Sequence, residues 1–365
     1  MGASIGLVMI VKNEESTLGR LAASVGDQID HFTIVDTGSS DTTMEVARRS
    51  FAGVPGEVIA DQWRGYGASR NVALEAARLH ADWLLLLDAD HTLEGELPRD
   101  LLSDDLDCVD VEERYDTLRL WRPFLIRAGS GWQWHGRAHE YLSLGERAAA
   151  STRSDRFHVV HHGDGGNRPD KFTRERALLE ADFADNPDDP RTCFYLARTF
   201  DDGGERTQAA EWYRRCLELD DWDEERFYAR WRLGVCLLDI GKTEEACGVL
   251  FDAWGERPWR AEPLWTLATH YRQQQQWHLC WEVCDLARRS SGVLPLGHGT
   301  TAGDDRLFVH SDVYEWRLAY EQSICAYYVA EIPIGRALCR YLLQRVDLPP
   351  EIRSSVEANQ RFYRP

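Results

Sequence analysis

Nine cysteines are scattered along the chain, and no two stand in a Cys-x-x-Cys pair. Their number is odd and most fall in helical patterns, so they read as buried reduced thiols of a cytoplasmic protein. Long apolar runs are missing as well. None approaches the ~18–20 residues of a membrane span, so none is expected. The opening Met-Gly lacks the Ser or Thr that myristoylation would want at position 6, where Gly6 stands. Positive charge is in deficit: 42 Lys and Arg against 61 Asp and Glu leave a net charge of −19. That balance argues against a broad basic surface and makes nucleic acid an unexpected partner. It leaves room for local arginine patches such as those around 64–70 and 119–137.

What is present is ample for two domains: 365 residues, 43% hydrophobic and 28% charged, the composition of a soluble globular protein. From 1 to about 165, strand patterns alternate with helix patterns. IGLVMIV (5–11), HFTIVD (31–36), GEVIAD (56–61) and DWLLLLD (82–88) read as strands. The segments between them read as helices, the second entered through good capping residues in SSDTT. Repeated βα units joined by short loops imply a parallel sheet with helices on its faces. IGLVMIV runs at once into KNEE, which marks a first strand rather than a signal peptide.

Four polar stretches follow the four strands: VKNEE (11–15), DTGSSD (36–41), DQWRGYGASRN (61–71) and DAD (88–90). All lie where open α/β sheets bind ligands, at the carboxyl edge. Residues i and i+2 of a strand share a face, so Asp88 and Asp90 can serve one site, and a divalent cation relieves their repulsion. Asp36 and Asp61 are placed to accept hydrogen bonds from a ribose or a base, and Arg70 to pair with a phosphate. Each piece has an ordinary alternative: Asp36–Asp41 as a capping turn, Asn71 as a cap, Arg70 as a surface residue. Four such coincidences at four successive strand ends are less economical than one site.

These stretches, IGLVMIVKNEE, IVDTGSSDTT, ASRNVAL and LLLLDADHTLE, resemble the ordered motifs of family-two glycosyltransferases of the GT-A fold, over roughly residues 4–165. The resemblance implies that Val11, Asn13, Glu14, Asp36, Asp61, Arg70, Asp88 and Ala89 contact a nucleoside-diphosphate sugar, with a UDP-sugar as the expected donor. It also implies that Asp88, Asp90 and His161 hold Mn²⁺ or Mg²⁺, and that transfer inverts the anomeric centre. One departure stands out: Asp36-Thr37-Gly38-Ser39 replaces the Asp-Asp-Gly-Ser of many relatives, which leaves open whether Asp36 or Asp61 reads the base. An inverting displacement needs a carboxylate base; Glu140 is the first candidate and Asp164 the second. His158 and His162 are assigned structural roles. Trp132 and Trp134 are candidates for stacking on a sugar or for packing. A nucleotidyltransferase would want a glycine-rich basic loop after the first strand, and VKNEE is not one.

After about 170, strand patterns cease. Leu196-Ala197, Leu233-Gly234, Leu267-Ala268 and Ile324-Cys325 open similar helical segments, each followed thirteen residues on by Ala209, Ala246, Cys280 or Ala337. The first three are about 34–37 residues apart, so the segment resembles a tetratricopeptide array. Gly204 and Gly241 fall at turns, and 290–308 is a glycine-rich insertion. The expectation is therefore an α/β GT-A domain at 1–168 and a tetratricopeptide-like domain at 169–365, with an insertion loop at about 290–310. Bacterial glycosyltransferases that modify peptides or proteins have this fused layout. That points to a peptide or protein acceptor and to a homodimer through the helical domain. A glycan, lipid-linked or modified-nucleobase acceptor, or an idle interaction module, are the alternatives.

Overall fold

A computed structural model describes residues 2–165, 171–219, 222–292 and 304–363. The chain forms two compact units, 1–187 and 188–365.

In the first unit, β1 (Ile5–Val11), β2 (His31–Asp36), β3 (Gly56–Ala60) and β4 (Trp83–Leu86) are linked by α1 (Leu18–Val25), α2 (Thr43–Ser50) and α3 (Tyr66–Ala77). The sheet order begins β3-β2-β1-β4, all parallel. Strand alternation sorts the side chains onto two apolar layers. Ile5, Leu7, Met9 and Val11 enter one layer with Trp83, Leu85 and Leu87, while Val8, Leu84 and Leu86 enter the other with α3. The leucine run is thus buried on both faces, as a central parallel strand requires.

The βα alternation stops at β4. β5 (His91–Gly95), β6 (Cys108–Tyr115), β7 (Leu118–Arg127), β8 (Gln133–His135), β9 (Tyr141–Ser143) and β10 (Ser151–His161) come next, with only 3₁₀ turns between them. The sheet continues β4-β7-β6-β10-β5, with β7 antiparallel to both neighbours and β5 antiparallel to β10. β6 and β7 make a two-residue hairpin across Tyr115↔Leu118. Asp116 there takes φ 51°, the left-handed conformation such turns need. β8 and β9 pair separately, and α4 (Lys171–Asp185) closes the unit.

The second unit is helical hairpins. α5 (Pro190–Asp202) pairs with α6 (Arg206–Glu218), α7 (Asp223–Asp239) with α8 (Thr243–Glu256), α9 (Glu262–Gln273) with α10 (Trp277–Ser291), and α11 (Leu318–Tyr328) with α12 (Ile332–Gln344). α13 (Pro350–Gln360) completes the unit. Asp189 caps α5 by accepting from Thr192 N at 2.9 Å. Gly204 and Gly241 take positive φ in the first two turns; Gln275 and Ala330 do so in the next two without the help of a glycine. Gly234 must be small, because a Cβ there would lie 2.5 Å from Leu250 Cγ. In the fourth hairpin the buried small residue is Gly335 rather than Ala337, which is half-buried. The insertion at 290–310 lies outside the described residues over 293–303. Its end is anchored: Asp305 accepts from Arg257 at 2.5 Å and from the fully buried Arg260 at 3.2 Å.

Candidate active site

The registers Val11↔Asp36 and Asp36↔Ala60 bring three strand ends level. Asp36 is almost wholly buried. Its Oδ1 accepts from Gly38 N and Ser39 N, both at 2.9 Å, and folds DTGSS into a tight turn. Asp36 Oδ2 has no hydrogen-bond partner among the described residues, and neither does Asp61 Oδ2. Asp61 Oδ1 accepts from Arg64 at 2.9 Å. Buried unpaired carboxylate oxygens are costly, and a ligand donor relieves the cost.

Around them the backbone is already engaged. The Val11 carbonyl accepts from Thr37 N at 2.9 Å and from Thr37 Oγ1 at 3.1 Å. Asn13 takes φ 58° and accepts from Ser40 N at 2.7 Å. Glu14 is buried and accepts from Thr17 Oγ1 at 2.9 Å. Ala89 lies in the core.

Arg70 is placed by α3. A Cβ on Gly67 would meet Gly136 O at 2.6 Å, so helix and loop touch backbone to backbone. Asn71 clamps Trp134 twice, donating to its carbonyl at 2.9 Å and accepting from its N–H at 2.8 Å. Arg70 then lies 5.1 Å from the Trp134 ring centre. It donates to Asp88 Oδ1 at 2.7 Å and to Glu140 Oε1 at 2.5 Å. Burial pulls the guanidinium's pKa down, but the charges of Asp88 and Glu140 outweigh it and raise it. Burial likewise pushes Asp88 up, and the Arg70 charge holds it far below the usual carboxylate range. Trp132 is a core residue whose indole donates to Asp107 O at 3.2 Å, which removes it from sugar stacking.

The two acids of DAD part company. β4 ends at Leu86, so Asp88 and Asp90 sit in the turn into β5 and not on a strand face. Asp88 joins Arg70, whereas Asp90 Oδ2 lies 3.2 Å from His161 Nε2 and accepts from Gly165 N at 3.2 Å. His161 Nδ1 lies 3.3 Å from Glu113 Oε1, and Arg122 pairs with the other Glu113 oxygen at 3.0 Å. Burial lowers the His161 pKa, yet the hydrogen bonds to Asp90 and Glu113 lift it to about 9. Burial raises Asp90 and Glu113, but His161 with Asp90, and Arg122 then His161 with Glu113, bring both net down, Glu113 to about 2.

His91 packs beside this pair, buried; its Nε2 makes no hydrogen bond among the described residues and lies 3.6 Å from Glu113 Oε1. One donor atom each from Asp90, His91 and His161 fall within 4.8 Å of one another. Carboxylate with imidazole suits Mn²⁺ better than Mg²⁺. Asp164 stands apart, half-exposed, held by Arg20 through two bonds of 2.8 and 2.6 Å. His158 bonds Arg114 and Glu94, and His162 bonds Thr92 Oγ1 at 2.9 Å. Sequence reasoning missed His91, Glu113, Arg122 and Arg20. His91 directly follows DAD, and Glu113 is a buried acid in an alternating strand; those are the signals that could have found them.

Residues 7–104 match the family described as Glycosyl transferase family 2. This stretch is a glycosyl transferase family 2 domain. The chain is also 30% identical over 239 residues to a TPR repeat-containing protein of Synechococcus elongatus, covering 59% of this chain and 57% of that one. Over 122 residues it is 34% identical to the lipopolysaccharide core biosynthesis glycosyltransferase LpsC of Rhizobium meliloti, covering 33% and 43%. Over 204 residues it is 24% identical to the SPbeta prophage-derived glycosyltransferase SunS of Bacillus subtilis, covering 52% and 47%. The chain thus spans about half the length of these relatives. Among solved structures it is similar to YrrB, a TPR protein (TM-score 0.38, 12% identity, 52% of this chain and 82% of that one). TTC0263 of Thermus thermophilus, also a TPR protein, gives TM-score 0.35, 15% identity, 52% and 90%. The match itself stops before Glu113, Glu140 and His161. Among the described residues no helix is long and apolar enough to cross a membrane.

Proposed function

We infer that the protein is a glycosyltransferase that moves a sugar from a nucleoside-diphosphate sugar to an acceptor, with inversion. The observation that carries this reading is the pair of buried, unpaired oxygens on Asp36 and Asp61 at level strand ends, beside an arginine shared by two acids. The unpaired oxygens suit the donor groups of a ribose and a base. Arg70 suits the diphosphate, whose oxygens would compete with Glu140 for the guanidinium. Glu140, released, is the proposed base, and its bond to Arg70 keeps it beside the proposed phosphate-binding group. Asp164 is the lesser candidate because Arg20 holds it at the exposed rim.

Asp90, His91 and His161 fit a divalent cation by their donor types and spacing, while Asp88 is held on the other side by Arg70. When bound there, such an ion would offset the charge that builds on the departing diphosphate. A peptide or protein acceptor is the proposed partner, since helical hairpins stacked in series form surfaces that grip extended chains. A glycan acceptor is the second reading, favoured by the likeness to LpsC, whose name places it in lipopolysaccharide core biosynthesis.

The test is a donor screen: nucleoside diphosphate released from a panel of sugar nucleotides, with Mn²⁺, with Mg²⁺, and with chelator. Release from one donor, lost on chelation and in Asp90→Ala with the fold intact, is the expected result. No release from any donor, or normal turnover in Asp90→Ala, would overturn the assignment.

A further inference from the structure

The second unit holds a cluster that the glycosyltransferase reading does not use. Cys280 and Cys284 lie one turn apart on α10, and Cys325 faces them from α11. All three are fully buried, and their sulfurs lie within 4.8 Å of one another. All are free thiols.

Hairpin packing does not call for them. At the Cys280 position the first two hairpins place Ala209 and Ala246, and at the Cys284 position Tyr213 and Leu250, all fully buried. At the Cys325 position the earlier hairpins carry Ala197, Gly234 and Ala268. The third and fourth hairpins therefore swap two small residues and one large one for sulfur at a single point of contact. A disulfide does not account for the trio, since it joins two sulfurs and strands the third.

We propose that Cys280, Cys284 and Cys325 form a binding site for a thiophilic d¹⁰ metal ion, zinc(II) or copper(I), that rivets α10 to α11. Metal–sulfur bonds of about 2.3 Å hold three sulfurs roughly 4 Å apart, so the thiols need only draw in slightly. Thiolate ligands without competing oxygen donors select these ions. Each thiol that ligates passes its proton to solvent, and no group changes oxidation state. The charge left on the sulfurs is countered by Arg272, whose field reaches Cys280. Arg272 also pairs with the buried Glu321, one turn before Cys325. Glu321 further accepts from Thr269 Oγ1 at 3.1 Å, which keeps its carboxylate occupied.

The experiment uses the full chain, reduced and freed of metal, titrated with cobalt(II), zinc(II) and copper(I). Thiolate-to-cobalt charge transfer in the near ultraviolet reports sulfur ligation alone, so a cation at Asp90 and His161 does not register. One equivalent of sulfur-bound cobalt, displaced by one equivalent of zinc or copper(I), is the expected result. Cys280→Ala and Cys325→Ala restore residues that other hairpins carry at those places and should fold; both should lose the band. Cys216→Ala, at a position filled elsewhere by Ala287, should keep it. Absence of the band in the folded, reduced wild type overturns the proposal, as does its persistence in Cys280→Ala.

Discussion

His161 sits between two acids, and its proton should govern both stability and cation binding. Its pKa of about 9 in the fold against an ordinary 6.5 would be worth roughly 3 kcal/mol if the ring were shut from water. About a third of the side chain is exposed (32%), so solvent screening brings this to the order of 1–2 kcal/mol. The lowered carboxyl of Asp90 expresses the same interaction seen from its partner; that of Glu113 rests first on Arg122 and only then on His161. A raised pKa stabilises the fold fully below 6.5, and the contribution is lost as pH rises to about 9. Urea unfolding of the metal-free protein across this window should therefore show a decline that His161→Asn lacks. A ligating imidazole must be neutral, so Mn²⁺ has to displace this proton. Its affinity should climb about tenfold per pH unit, up to ~100-fold between pH 7 and 9. Calorimetric titrations and a histidine NMR titration would read both. A His161 pKa near 6.5, or an Mn²⁺ affinity that is flat over this range, would refute the reasoning.

Arg70→Lys keeps a charge but cannot fork to both Asp88 and Glu140. Losing one charged hydrogen bond should lower kcat/KM by roughly 10–100-fold, read by diphosphate release. Glu140→Gln should retain binding of the donor nucleotide while transfer falls by about 10²–10⁴-fold; loss of binding would move Glu140 to the donor site. Ala330→Gly removes a left-handed alanine from the last hairpin turn and should raise stability by about 0.5–1 kcal/mol in chemical denaturation. Gly335→Ala should do the reverse, because its Cβ would lie 2.3 Å from the Tyr363 ring. A loss of roughly 1–3 kcal/mol is expected there.

The first four strands are legible because Leu84–Leu87 and IGLVMIV are uninterrupted apolar runs bounded by polar turns, and the hairpins because small residues recur at a fixed interval. The strands beyond β4 are not. CVDVEERY and LRLWRPFLIR mix charge into buried strands, and Glu113 is buried with His161 and Arg122 as its partners. Pairing across such distances leaves no local trace. The separation of Asp88 from Asp90 is hidden for a related reason: β4 stops where its partner strand β1 stops contributing, at the Val8↔Leu86 pair. Cys280 reads as one more small residue of the repeat, and nothing in its spacing announces Cys325 opposite.

The placement of β7 beside β4 has a consequence for synthesis. WLLL binds β1 along one margin, while the other margin waits for Leu125–Arg127 to be made. A nascent or truncated chain halted near residue 104 would thus bare a greasy, unpaired strand in the middle of its sheet, an open invitation to a neighbouring copy. Cutting the chain at the end of the family match would be expected to give inclusion bodies, and extending it through β10 should restore solubility.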